Sequence, residues 1–207
     1  MAQLIGSIRR RLETVLEEFK RSRSTWNELN SDAFASVNTL VNSVIQSRYI
    51  DETAYWHPVL LQEFPNIVQQ YDQKMSRVID RHCQKVETFV QKMANQHRKM
   101  KHQVAELHAL HQRLKDLGDD YANRPLYKTC PMVIFGINEL QRIEGIVEMF
   151  TKELATKQSM LKEDGWKQIK RREEGLVWIS VWLNQPNIVD AVVHEFDDLC
   201  RAELDIE

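Results

Sequence analysis

Residues 66–117 read NIVQQYDQKMSRVIDRHCQKVETFVQKMANQHRKMKHQVAELHALHQRLKDL, 52 residues without proline or glycine. Along them Met75, Val78 and His82 are followed eleven residues later by Val86, Phe89 and Met93, and again by His97, Met100 and Val104. Eleven residues over three turns is about 3.67 per turn, close to an unstrained α-helix, so the stripe holds one face of a nearly straight rod about 78 Å long. A stripe three positions wide can seal against two neighbouring helices. Nothing along it resembles a reaction centre, so the stretch predicts an assembly part.

Working outward, the whole chain has the composition of an all-α protein. Of its 207 residues 43% are hydrophobic and 28% charged, with only 6 glycines and 5 prolines, which is poor in turn formers. The length suffices for one domain or one extended bundle with its own core. Lysine plus arginine number 28 against 30 acids, a formal charge of -2. No direct nucleic-acid ligand is expected, because such domains show a basic excess or a clustered basic face. The basic runs at Arg9 to Arg11, Arg98 to Lys101 and Lys170 to Arg172 sit among acids or on polar helical faces.

Cys83, Cys130 and Cys200 are odd in number and far apart, which signals neither a disulfide framework nor a zinc site and fits a reducing compartment. The N-terminus lacks the apolar region of a secretory signal. The longest apolar run, Leu176 to Leu183, falls far below the roughly 20 residues needed to span a bilayer. No membrane association is expected, and a nuclear and cytoplasmic location is.

Few punctuation marks divide the chain, and the reading is one helical domain over residues 1–207, an elongated bundle of long antiparallel helices with a short C-terminal helical pair. Residues 1–48 form a first helix, through Ile5, Ile8, Leu12, Val15, Phe19, Trp26, Leu29, Val37, Leu40 and Val44. A kink or restart is expected at Ser22 to Thr25 or Asn30 to Asp32, which hold good N-cap residues. Residues 49–65 contain Pro58 and Pro65 and form a connector, apolar enough through Tyr55, Trp56, Val59, Leu60, Leu61 and Phe64 to be expected to pack down. The long helix over 66–117 ends at Gly118 with a C-terminal cap. A loop over 118–131 leads, with Pro131 suited to the first turn, into a third helix over 132–164. Its stripe is Val133, Ile137, Leu140, Val147, Phe150, Leu154 and Leu161, and Gly165 ends it. Short helices fill 171–204: a segment apolar nearly all round, expected to be buried or docked on a partner, then Pro186, then an amphipathic helix through Ile188, Val192, Phe196 and Leu199.

Candidate chemistry is sparse. His82, His97, His108 and His111 lie on or beside the stripe, and His108 with His111 could hold a metal, but no further ligands stand at a recognisable spacing, so no metal site is assigned. The plainer reading is core-edge histidines whose packing responds to pH. His194-Glu195 lacks the second histidine of a zinc-protease motif, and no nucleophile elbow, dinucleotide fingerprint or phosphate loop occurs. Cys83 reads as a packed thiol. No catalytic residue and no cofactor are expected; the chain is not read as an enzyme. The candidate partner-binding residues are Trp56, Phe64, Trp166, Trp178 and Trp182, since large aromatic side chains are enriched at interface hot spots. Trp178 and Trp182, four apart on the most apolar helix, carry the partner reading furthest, although intramolecular core is the default for a tryptophan.

Landmarks in order along the chain support a resemblance. Trp26, Phe64-Pro65 opening the long helix, and Pro131 followed by Leu140-Gln141-x-Ile143-Glu144 and Trp166 resemble the AAA-ATPase-interacting ribosome maturation factor family, AIRIM, over most of the chain. Trp26 with Leu29-Asn30, Asn38 and Asn42, Pro125-Leu126-Tyr127, Lys152-Glu153-Leu154 and Trp182-Leu183-Asn184-Gln185-Pro186 resemble the related cyclin-dependent kinase 2-interacting protein family, CINP. Both resemblances imply a non-catalytic adaptor in a complex built around an Afg-type AAA ATPase. That complex acts in maturation of large ribosomal subunit precursors and has been linked to genome maintenance at replication. The implied partners are the ATPase, a sister helical adaptor (an AIRIM and CINP pair) and, indirectly, pre-ribosomal particles. Two alternatives remain open on the sequence: a CINP-like kinase-associated or checkpoint-associated replication scaffold, and a homo-oligomeric coiled-coil tether.

Overall fold

A computed structural model describes residues 2–50, 52–116 and 137–204, and over them the protein is an all-α helical bundle. Its elements are α1 (Ala2–Ser47), a 3-10 turn (Thr53–Tyr55), α2 (Pro58–Glu63), α3 (Ile67–Asp116), α4 (Ile137–Leu161), α5 (Glu163–Trp166), α6 (Arg172–Asn184) and α7 (Asp190–Leu204). The expected cap at Gly118, the 118–131 loop with Cys130 and Pro131, and Val133 lie outside the described residues.

Helix α1 runs without a break, so the restart expected near Ser22 or Asn30 does not occur. The reason is that neither side chain is used as a cap. The Ser22 hydroxyl donates to the Glu18 carbonyl one turn back at 2.9 Å, and Asn30 is buried, its Oδ1 accepting from Lys157. Along α1 the buried positions Leu12, Phe19, Trp26, Ala33 and Leu40 recur every seven residues; along α3 Val86, Met93, Met100, Leu107 and Leu114 do the same. This corrects the eleven-residue frame. Val78, Phe89 and Val104, each the middle or last member of an eleven-residue triad, are only half-buried. A seam 3.5 residues per turn is what helices adopt when knobs on one must meet holes on another, so packing overrides the slightly longer intrinsic period of the stripe.

The packing falls into two compact units, 1–27 with 94–153 and 187–207, and 28–93 with 154–186. Three boundaries fall inside α1, α3 and α4, where no glycine or proline marks them in the sequence, and the fourth follows Pro186.

The first unit is built around Trp26, which meets Phe150 edge-on at 5.2 Å, and Phe19, which meets Phe196 edge-on at 6.3 Å. Arg23, almost fully buried, lays its guanidinium 5.0 Å from the Phe19 ring and forks onto the Asp197 carboxylate. Buried Gln103 donates to Ser22 Oγ at 3.3 Å, tying α3 to α1 within this unit. His97 lies buried with Nε2 2.8 Å from Thr151 Oγ.

The second unit closes α6 onto α1 at Gly175. A Cβ there would stand 2.7 Å from both Val41 Cγ1 and Ile45 Cδ1, so only glycine admits this approach without displacing them. Gly175, Trp178 and Trp182 share the buried face of α6. Gly165 does not end α4 but lies in α5, one turn beyond Leu161, and a Cβ on it would meet the Met160 carbonyl oxygen at 2.3 Å. The chain can fold back over the end of α4 there because the residue is glycine. Helix α6 stops at Gln185, in the left-handed region at φ 45°, with Pro186 following.

Candidate partner-docking surface

The connector over 49–65 is where sequence and structure diverge most. Expected to pack down, it is anchored at one end only. Ile50 is buried, and the half-buried Trp56 donates from Nε1 to the Ile50 carbonyl at 2.9 Å. Trp56 meets Tyr55 and Tyr71 edge-on at 5.5 and 5.4 Å, and Tyr49 stacks on Tyr55 at 6.2 Å. A hydrogen bond with Tyr55, aided by burial, pushes the Tyr71 phenol up to about 12. This aromatic cluster pins the connector to α3.

Beyond it the chain turns outward. His57 caps α2, accepting at Nδ1 from the Val59 N–H at 3.3 Å, and Pro58 occupies the first turn, where its missing donor costs nothing. The Phe64 N–H closes on Leu60 O at 2.9 Å, and Pro65 forbids a further turn. Local caps therefore make α2 a helix although no residue of it is buried. Val59, Leu60, Leu61 and Phe64 are all exposed, Phe64 at 56%. Leu60, Glu63, Phe64, Pro65, Asn66, Ile67 and Gln70 line a groove of about 380 Å³. The correction has a plain cause: α2 is six residues long, and none of its residues is buried against the rest of the described chain.

The five partner-binding residues read from the sequence thus separate. Phe64 is on the exposed tip, and Trp56 stands behind it. Trp166 is half-buried, its ring 5.5 Å from Lys167 Nζ. Trp182 is fully buried and Trp178 nearly so, stacked at 6.3 Å, so their assignment to a partner surface is corrected: they are core of the second unit. Trp178 also lines, with Ala155, Ser159, Met160 and Gln168, a groove of about 670 Å³. The outward face of α6 belongs instead to Leu176, Val177 and Leu183, at 49–63% exposure. Gly175 is the signal that could have shown this, since a glycine marks the side of a helix that another backbone approaches. Nine of the eleven large apolar side chains exposed among the described residues lie in the second unit.

The other candidates have structural roles. His108 bonds to Glu144 Oε1 at 2.7 Å, while His82, His97 and His111 have pKa values lowered first by burial. Among the described residues no three histidine, cysteine or carboxylate side chains come together as metal ligands. Burial pushes the Cys83 thiol up to about 11 and Cys200 up to about 12, opposite to what a nucleophile requires. The burial of Lys157 and Glu153 was not foreseen in the sequence, although Lys157 falls seven residues after Phe150. No helix among the described residues is long and apolar enough to cross a membrane. No protein-family profile matches the chain, and comparison with curated proteins finds no significant match.

Proposed function

We propose that the protein is a non-catalytic adaptor subunit of an Afg-type AAA ATPase complex that acts in maturation of large ribosomal subunit precursors, with a role in genome maintenance at replication. The observation that carries the docking part of this reading is the exposed α2 tip. A soluble chain that keeps Val59, Leu60, Leu61 and Phe64 in water around a preformed groove has a reason to do so when another protein covers them. The identity of the complex comes from the resemblance of Trp26, Phe64-Pro65, Leu140-Gln141-x-Ile143-Glu144 and Trp166 to the AIRIM family, and of Trp182 to Pro186 to the CINP family. In this reading the sister helical adaptor or the ATPase seats on the tip, and pre-ribosomal particles are met indirectly. Nuclear and cytoplasmic location follows from the same proposal.

The test is affinity purification of the tagged protein from its own cells, beside a Leu60→Ser, Phe64→Ser double variant. An AAA ATPase and a small helical subunit are expected with the wild type, and at least one is lost from the variant while its helix content is unchanged. Recovery of the protein alone as a stable dimer would remove the adaptor reading in favour of a homo-oligomeric tether.

A further inference from the structure

Between Arg48 and Lys74 the sequence carries four carboxylates, Asp51, Glu52, Glu63 and Asp72, and no lysine or arginine. Glu52, Glu63 and Asp72 are exposed, and Glu63 lines the groove beside Leu60, Phe64 and Ile67. Arg48, the cation at the entrance to this segment, turns its guanidinium onto main-chain carbonyls, 2.6 Å from Lys167 O and 3.2 Å from Ile169 O. Among the described residues Glu63 is thus the one charged side chain that lines the groove, and the stretch that carries the tip holds carboxylates without lysine or arginine until Lys74.

Resting on the docking reading above, we infer that the occupant of the α2 groove is an amphipathic helix of a partner protein, its apolar stripe flanked by lysine or arginine. Charge complementarity selects the flanks, since a like charge brought beside Glu63 is repelled and an opposite one speeds encounter. Backbone chemistry selects the helix. No strand occurs among the described residues, so there is no sheet edge for an extended peptide to extend, and what the groove offers is apolar side chains. The carboxylates also act against an anionic lipid surface and against nucleic acid, both of which carry the same sign. A second copy is the competing occupant, because Leu176 and Val177 are exposed on α6 close in sequence to Arg171 and Arg172.

The test uses the full chain and two synthetic helices of roughly 18 residues, five turns, that share one leucine stripe. One carries lysines on its polar face and the other glutamates, and binding is read by fluorescence anisotropy. The lysine helix is expected to bind at least about tenfold tighter, and its affinity to fall severalfold between about 50 and about 300 mM salt. The triple variant Glu52→Gln, Glu63→Gln, Asp72→Asn abolishes the preference, and Phe64→Ser weakens both helices; all four positions are exposed, and circular dichroism checks each fold. Equal binding, no binding, or a preference that survives the triple variant overturns the inference. So does a dimer in sedimentation that Phe64→Ser dissociates, or binding to vesicles of phosphatidylcholine and phosphatidylserine that the same variant removes. This readout needs no ATPase. Failure here with the ATPase still co-purifying through the tip leaves the adaptor reading standing, and the converse leaves the partner chemistry standing.

Discussion

Lys157 donates from Nζ to the backbone carbonyl of Trp182 at 3.0 Å while standing 4.2 Å from the centre of the same residue's indole ring. Its Nζ also donates to Asn30 Oδ1 at 2.8 Å, and the Trp182 indole N–H returns a bond to the Asn30 carbonyl at 3.3 Å. Three helices of the second unit, α1, α4 and α6, are closed by one clamp. A fully buried lysine is tolerated only where its donors are used, and two carbonyl oxygens and the face of a ring are among the groups that meet Lys157.

Lys157→Ala leaves two buried oxygens without their donor and opens a cavity, so it should cost on the order of 3 kcal/mol. Lys157→Met, which keeps most of the stem volume, should cost less. Urea unfolding followed by circular dichroism measures both, and equal stability of Lys157→Ala with the wild type would show that the clamp is not formed.

Trp182→Ala and Phe64→Ala should behave in opposite ways. Loss of the buried indole is expected to cost about 3–5 kcal/mol, whereas loss of an exposed ring should stay within about 0.5 kcal/mol. Partner capture should fail with Phe64→Ala at undiminished melting temperature. With Trp182→Ala any loss of partner should follow the loss of fold, which thermal melts and co-purification of the same samples separate.

Acid should weaken the first unit through His97. Thr151 Oγ donates to Val147 O at 2.9 Å, so it accepts from the ring N–H at Nε2, and His97 sits neutral in place. Burial, then Lys101, lowers its pKa below 6.5, against a small opposing effect of Glu148. The unfolded chain therefore binds the proton first. Stability is full above the unfolded pKa and declines as pH falls from about 6.5 through the folded value. His97→Gln should flatten part of that decline between about pH 7 and about pH 5. An unchanged slope in denaturant titrations across that window would remove His97 from the account.

Gly175→Ala should destabilise the second unit by about 1–3 kcal/mol, because the added methyl meets Val41 and Ile45 at 2.7 Å in a packed contact. A small effect in thermal melts would mean that α6 can slide on α1. Gly145, with nothing within 4 Å of its ideal Cβ, is the internal control: Gly145→Ala should be neutral or stabilising.

Helical class, the three long helices and the break at Pro186 were legible in the sequence because apolar spacing and proline act locally. The seven-residue seam was not. Val78, Phe89 and Val104 are as apolar as Val86 and Met93, and only the neighbouring helices decide which are covered. The tryptophans misled for the same reason: size reports that an indole needs burial, not whether its own chain supplies it. The exposed tip was half visible. Its apolar residues were plain, but their exposure was not, because the caps at His57 and Phe64 let α2 form without burying any of its residues.

Because no side chain of α2 is buried, inheritance acts differently on it than on the rest of the chain. A substitution at Trp26 or Gly175 is answered by the protein's own fold, in every lineage alike. One at Leu60 or Leu61 meets far less internal resistance. Under the proposed docking role, this short helix should drift in related organisms in step with a second gene, and its changes should be a better guide to that partner than to the fold that carries it.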